Sequence, residues 1–164
     1  MITFVPVTEK HRALLQSWLL QPHWREWWGE PEDELRLIYA VEEGEHLPFI
    51  ACIDEVPVAY IQCWWPAQHP DVPWVRTLKM TERGVDISIG DAANLSKGLG
   101  TQIVKAFAAK LFAEGATRLV IDPDKNNARA IAAYRKAGFT PYAEFEGDLL
   151  MELLPEDMIG MEDL

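Results

Sequence analysis

Hydrophobic and polar positions along this chain switch repeatedly between a period of two and a period near 3.6, and the switches predict its elements. Residues 2–7 read as a first strand and residues 9–20 as an amphipathic helix. A second helix is predicted over 31–43, closed by Gly44 and followed by a strand over 48–53. Asp54-Glu55 turns the chain into a strand over 57–65, and a loop rich in proline and polar residues runs from Pro66 to about Gly84. Next comes a strand carrying Asp86. Beyond it Ile103, Val104, Phe107, Ala108, Leu111 and Phe112 recur at helical spacing, with Gln102, Lys105 and Lys110 elsewhere on the wheel and Gly115 as the stop. Leu119-Val120-Ile121 is a continuous β-favouring run suited to a buried parallel strand, so strand, helix and strand predict a right-handed crossover. Residues 140–145 and 149–154 close as a hairpin through Glu146-Gly147-Asp148. No repeat, low-complexity run or linker divides the 164 residues, which predicts a single domain over 1–164.

The turn that opens the crossover helix carries chemistry. Ile87-Ser88-Ile89-Gly90 leads to Leu95-Ser96-Lys97-Gly98-Leu99-Gly100-Thr101. A helix start leaves N–H groups without intrahelical acceptors, and its dipole favours negative charge. Gly98 and Gly100 lack a Cβ, and Lys97 adds a mobile cation, so a pyrophosphate is the natural ligand. Neither commoner phosphate loop fits. Lys97 precedes the glycines instead of following them, and Ile103 stands where a dinucleotide fingerprint needs its third glycine.

A second constellation starts where the next strand ends: Asp122-Pro123-Asp124-Lys125-Asn126-Asn127, then Ala128 to Phe139. Asn126 or Asn127 can cap a helix that places Ile131 and Tyr134 on one face; Arg135 and Lys136 suit its C-terminal dipole, and Gly138 ends it. Together the two segments resemble the acetyl-CoA-binding core of the GNAT superfamily of N-acetyltransferases, and more closely the aminoglycoside 6′-N-acetyltransferases. Glu26-Trp27-Trp28-Gly29, Pro48-Phe49-Ile50-Ala51, Tyr60-Ile61-Gln62 and Gly84-Val85-Asp86 extend the likeness over most of the chain. One position departs: many members carry Gln or Arg three residues before the first loop glycine, where this chain has Leu95.

The resemblance implies a mixed α/β (α+β) fold, with a largely antiparallel sheet of six or seven strands flanked by helices on both faces. It implies an acetyl-CoA core over about 84–139 and an acceptor side built from about 20–45 and 64–86. Acetyl-CoA would then be held by Ile87, Ser88, Ile89, Leu95, Ser96, Lys97, Gly98, Leu99, Gly100 and Thr101, with Asn127, Ala130 and Lys136. Asn127 would bond the pantetheine or the turn itself, and an N–H from Ile87–Ile89 would polarise the acetyl carbonyl. Trp28, Asp86 and Asp122 would meet the acceptor, although an aspartate before proline is also a common cap.

Composition narrows the partners. A net charge of −11 repels nucleic acid and anionic membranes and favours a cationic small-molecule amine, although it also serves solubility. The residues from Glu152 to Leu164 are expected to be a solvated, partly frayed acidic tail. No basic leader and no spanning apolar run is read, which suggests a cytoplasmic protein, a monomer or a homodimer. Cys52 and Cys63 fall in neighbouring strands without metal-ligand spacing; they are expected to be buried free thiols, with no metal site.

Acetyl transfer to an amine needs a base, a polarised carbonyl and a proton for the leaving thiolate. An aliphatic ammonium with a pKa of roughly 9–10 is protonated at neutral pH. Asp86, set among Val85, Ile87 and Ile89, is the candidate base, or else the group that binds and orients the ammonium. Tyr134 is the candidate acid by analogy with the superfamily, the alternative being a core tyrosine. Trp24, Trp27 and Trp28 are expected in a loop, either as a hydrophobic staple or as an aromatic wall for the acceptor. Trp64 and Trp65, adjacent in a strand, are expected to face opposite ways. Two other functions fit less well. Siderophore-assembly acyltransferases carry His where Asp86 stands and act on a neutral hydroxylamine. A non-catalytic acyl-CoA-binding regulator would not need both Asp86 and Tyr134.

Overall fold

The computed structural model describes residues 1–75 and 78–162. Its backbone forms two compact units, residues 1–63 with 86–99 and residues 64–85 with the chain from 100 onward. Seven strands make one sheet in the order β1-β2-β3-β4-β5-β7-β6. They are β1 (Ile2–Pro6), β2 (His46–Ile53), β3 (Val56–Trp64), β4 (Glu82–Ile89), β5 (Arg118–Ile121), β6 (Thr140–Phe145) and β7 (Asp148–Leu153). The pairs β1–β2, β5–β7 and β6–β7 are antiparallel, whereas β4–β5 is parallel, as the crossover predicts.

In the first unit, β1 is followed by a 3-10 turn over Glu9–His11 and then by α1 (Arg12–Leu19), α2 (Pro22–Trp27), α3 (Pro31–Tyr39) and α4 (Val41–Gly44). Leu15, Trp18, Leu19, Trp24 and Ile38 from these helices pack with Ile50, Cys52 and Tyr60 of the sheet as one core. Asp54 and Glu55 both take positive φ, 48° and 71°, which gives the β2–β3 hairpin the turn hand that matches strand twist. Gly90 ends β4 under the Trp18 indole, and a Cβ there would lie 2.1 Å from Trp18 Cε2.

In the second unit, α5 (Leu99–Ala113) buries Ile103, Val104, Phe107, Ala108 and Leu111, the positions its periodicity marks. Gly115 ends it at φ 104°, with Ala116 N–H donating to the Leu111 carbonyl and Gly115 N–H to that of Phe112. Helix α6 (Ala128–Lys136) ends the same way at Gly138. Trp64 packs edge-on against Trp74 and His69, with ring centroids 6.0 and 5.4 Å away. Its indole lies on bare backbone, since a Cβ on Gly84 would sit 2.2 Å from Trp64 Cε2. Trp65 instead meets the Arg83 guanidinium, 4.6 Å from its ring centroid.

The structure corrects several expected boundaries. Trp24 and Trp27 lie in helix α2 and not in a loop, because Pro22 at its first position is pre-set for a helical start. The helix expected over 31–43 breaks at Ala40, whose φ −87° and ψ 54° are not helical, into α3 and α4. Strands β2 and β4 begin earlier than expected, at His46 and Glu82. Glu152 belongs to β7, and what reads as a frayed tail is helix α7 (Pro155–Glu162); residues 163 and 164 lie outside the described residues.

Candidate active site

Asp86 is anchored from the neighbouring strand. Alternation along β3 puts Tyr60 and Gln62 on one face. The Tyr60 hydroxyl donates to Gln62 Oε1, and Gln62 Nε2 donates to Asp86 Oδ2 at 2.9 Å. Asp86 is half-buried. Loss of water there pushes its pKa up to about 6; the Gln62 N–H acts in the opposite sense, and the Glu34 carboxylate adds to the rise. Burial together with the charges of Asp86 and Glu34 holds the Tyr60 phenol well above its ordinary value.

Aromatic rings stand around this group. The Trp28 ring centroid is 5.9 Å from that of Tyr60, nearly edge-on, and 4.9 Å from that of Trp24. Trp24 is fully buried and its Nε1 donates to the Ile89 carbonyl at 2.8 Å. His23 Nε2 lies 2.6 Å from the same oxygen, and because a carbonyl only accepts, Nε2 carries the proton. These two bonds tie α2 to the end of β4. Glu34 Oε1 accepts the Gly29 N–H at 3.1 Å, which holds the turn directly after Trp28. A carboxylate, a second carboxylate and aromatic faces together suit an ammonium group.

The loop after β4 is pinned at its start and open at its end. Asp91 caps a 3-10 turn over Ala92–Asn94, and Gln21 Oε1 accepts from Ala92 N–H at 3.2 Å. Leu95 is half-buried, whereas Ser96, Lys97 and Gly98 are exposed; Ser96 and Gly98 take positive φ, 60° and 77°. A Cβ added at Gly98 would meet nothing within 4 Å, and one at Gly100 would only touch Ala133 Cβ at 3.9 Å. Backbone geometry thus accounts for Gly98, while neither conformation nor packing accounts for Gly100. Leu99 begins α5, so the free N–H groups of its first turn follow directly on Lys97 and Gly98. The Thr101 hydroxyl is committed to the Ala133 carbonyl at 3.0 Å, leaving its backbone N–H for a ligand. An open turn with a lysine, two glycines and a fifteen-residue helix fits a pyrophosphate.

Strand β4 carries Ile87, Ser88 and Ile89 toward the loop. Its register with β5 runs from Glu82↔Arg118 to Gly84↔Val120, and β4 continues to Ile89. Ile87 and Ile89 are half-buried and Ser88 is buried. Tyr134, in the second unit, is buried and fixed by the end of its helix. Phe139 N–H donates to the Tyr134 carbonyl and Gly138 N–H to that of Arg135, and the Tyr134 and Phe139 rings lie 6.3 Å apart. Asn127 is the cap of α6, its Oδ1 accepting from Ala130 N–H at 3.3 Å, so that side chain serves the turn. Lys136 is exposed in the last turn.

The structure brings Asp86 and Trp28 together through Tyr60. Asp122 falls in the second unit, near enough to Tyr142 to add to the upward shift of its phenol, which burial dominates. Gln62, Tyr60 and Glu34 complete the Asp86 environment and are missed by a sequence reading of the chemistry. The available signal is the period-two pairing of Tyr60 with Gln62 opposite a carboxylate strand. Among the described residues, no group of three or more His, Cys, Asp or Glu side chains could hold a metal ion, and no helix is long and apolar enough to cross a membrane. Cys52 and Cys63 are buried and free.

Comparison with known proteins decides the family. The acetyltransferase (GNAT) domain family matches residues 7–147. The chain belongs to the GNAT acetyltransferases. The aminoglycoside N(6′)-acetyltransferase type 1 of Klebsiella pneumoniae is 33% identical to this acetyltransferase over 147 residues, 84% of this chain and 73% of the relative. A crystal structure of aminoglycoside acetyltransferase AAC(6′)-Ib in complex with coenzyme A superposes on it with a TM-score of 0.89 at 28% identity, over 99% of both chains. AAC(6′)-Ib in complex with coenzyme A and kanamycin gives 0.88, also at 28% identity and 99% of each chain.

Proposed function

We propose that this N-acetyltransferase transfers the acetyl group of acetyl-CoA to a primary amine of a cationic small molecule, aminoglycoside-like or polyamine, and acts as a single cytoplasmic domain over 1–164. The observation that carries the reading is the Asp86 carboxyl, enclosed, titrating near 6 and framed by Trp28, Tyr60 and Glu34. Relatives that are aminoglycoside acetyltransferases, one of them in complex with kanamycin, support the acceptor class.

Acetyl-CoA, when bound, supplies the thioester carbonyl that the amine attacks. The loop amides around Lys97, Gly98, Leu99, Gly100 and Thr101 would hold its pyrophosphate, with Lys97 adding charge. Residues 87–89 would offer backbone N–H groups to the pantetheine and to the acetyl oxygen. Asp86 first binds the ammonium by charge. Its Oδ atoms then take one proton from nitrogen, so the lone pair that forms the C–N bond becomes available. A carboxylate titrating near 6 is a better base than an ordinary one and is still ionised at neutral pH. Tyr134 Oη would hold the proton that the departing thiolate needs when the C–S bond breaks. An amine that arrives protonated needs a carboxylate, and this favours an amine over a hydroxylamine as acceptor.

Asp86→Asn tests the reading. Turnover of kanamycin or spermidine, followed by thiol release, should fall about 100-fold or more in kcat/KM, with the KM for acetyl-CoA nearly unchanged. A rise in acceptor KM alone marks ammonium binding, whereas a loss of kcat at saturation marks proton transfer. Full activity of the variant on every amine the parent accepts would overturn both roles.

A further inference from the structure

We infer that Gln62 is the positioning residue for the Asp86 carboxylate, and that Tyr60 steadies the Gln62 amide from its other end. The inference rests on Asp86 as the acceptor-side carboxylate and goes beyond it.

The geometry has a direction. An amide side chain can present either its oxygen or its nitrogen to a neighbour, and only the nitrogen attracts a carboxylate. The Asp86 carboxylate resolves that choice, and Tyr60 supports it. Its hydroxyl donates to Gln62 Oε1, which leaves Nε2 to donate to Asp86 Oδ2 at 2.9 Å. The ionised Asp86 carboxylate only accepts, so it takes the Gln62 N–H, and the fully buried Tyr60 hydroxyl fills the amide oxygen at the other end. One Asp86 oxygen is held by Gln62, which restrains the carboxylate on the sheet. The other titratable groups whose charge acts on this cluster are Glu34 from α3 and Cys63, next to Gln62 on β3.

The test is the pH dependence of kcat/KM for an amine acceptor in Gln62→Met, Tyr60→Phe and Asp86→Asn. The parent should show an acid limb from the Asp86 carboxylate. Gln62→Met keeps the length of the side chain and removes the N–H. It should move the limb about one pH unit upward, the size of a lost charge-assisted hydrogen bond. At pH 6 that costs about five-fold in kcat/KM, approaching tenfold at lower pH, while the KM for acetyl-CoA stays unchanged. Tyr60→Phe removes the hydrogen bond that steadies the amide and should move the limb in the same direction by a smaller amount. A role confined to packing would lower melting temperature without moving the limb. Limbs within about 0.2 unit of the parent in Gln62→Met, or in Tyr60→Phe if the first fails to fold, overturn the positioning role. If Asp86→Asn stays fully active, the reading of Asp86 itself fails, which separates the two failures.

Discussion

A carboxyl that titrates near 6 in the folded chain and near 4 when unfolded binds more protons folded than unfolded across that interval. Stability from such a group is present below about pH 4 and is lost as pH rises to about 6. At neutral pH Asp86 is therefore a destabilising residue, a cost that enclosed catalytic carboxylates carry. Asp86→Asn should raise stability at pH 7.5 by about 1–3 kcal/mol, and the gain should shrink toward pH 4.5. Thermal melts at the two pH values read this directly, and equal melting temperatures at pH 7.5 would contradict it. Asp86 stands out in the sequence because a charged residue sits among Val85, Ile87 and Ile89. Gln62 does not, because a neutral amide in a strand announces nothing until its partner strand is in place.

Among elements, the loop before α5 separates two reasons for glycine. Gly98 needs positive φ, while Gly100 has ordinary backbone and free space toward Ala133. Gly98→Ala should therefore strain the loop by roughly 1 kcal/mol with or without ligand. Gly100→Val should fold with near-parental stability yet raise the KM for acetyl-CoA several-fold, because only a closely approaching pyrophosphate meets its side chain. Calorimetry with CoA on the folded Gly100→Val protein checks this; unchanged affinity would remove the loop from the binding site. The strand–helix–strand crossover is legible because α5 has fifteen residues with an unbroken apolar face and a glycine stop. Helix α2 is not, since six residues rich in tryptophan show no full period. Helix α7 is obscured by its acidic composition, and the break at Ala40 by the absence of any Gly or Pro between Pro31 and Gly44.

Over the whole molecule, the charge of −11 sets how a polycation is drawn in. Raising ionic strength from about 0.02 to 0.3 M shortens the Debye length from roughly 20 Å to under 6 Å. The KM for a polyamine or aminoglycoside should rise several-fold over this range, whereas that for a monoamine should change little. A salt-independent polyamine KM would confine the attraction to the short-range contacts of Asp86 and Glu34. The sign of the charge and the family motifs point to the same partner from independent directions. The division of Asp86 and Tyr134 between two compact units leaves no trace in sequence, because β4 and the loop into α5 run from one to the other without a break in pattern.

The Trp64 indole resting on Gly84 has a consequence for how this chain can vary. An alanine at 84 collides with the ring, and a smaller residue at 64 leaves Trp74 and His69 beside a void. Either single step passes through a weakened protein, yet the two together restore contact. Divergence at this pair is thus epistatic, and the order of the changes decides which lineages survive it: shrinking Trp64 first opens room for a side chain at 84, while the reverse route begins with an overlap that nothing nearby can relieve.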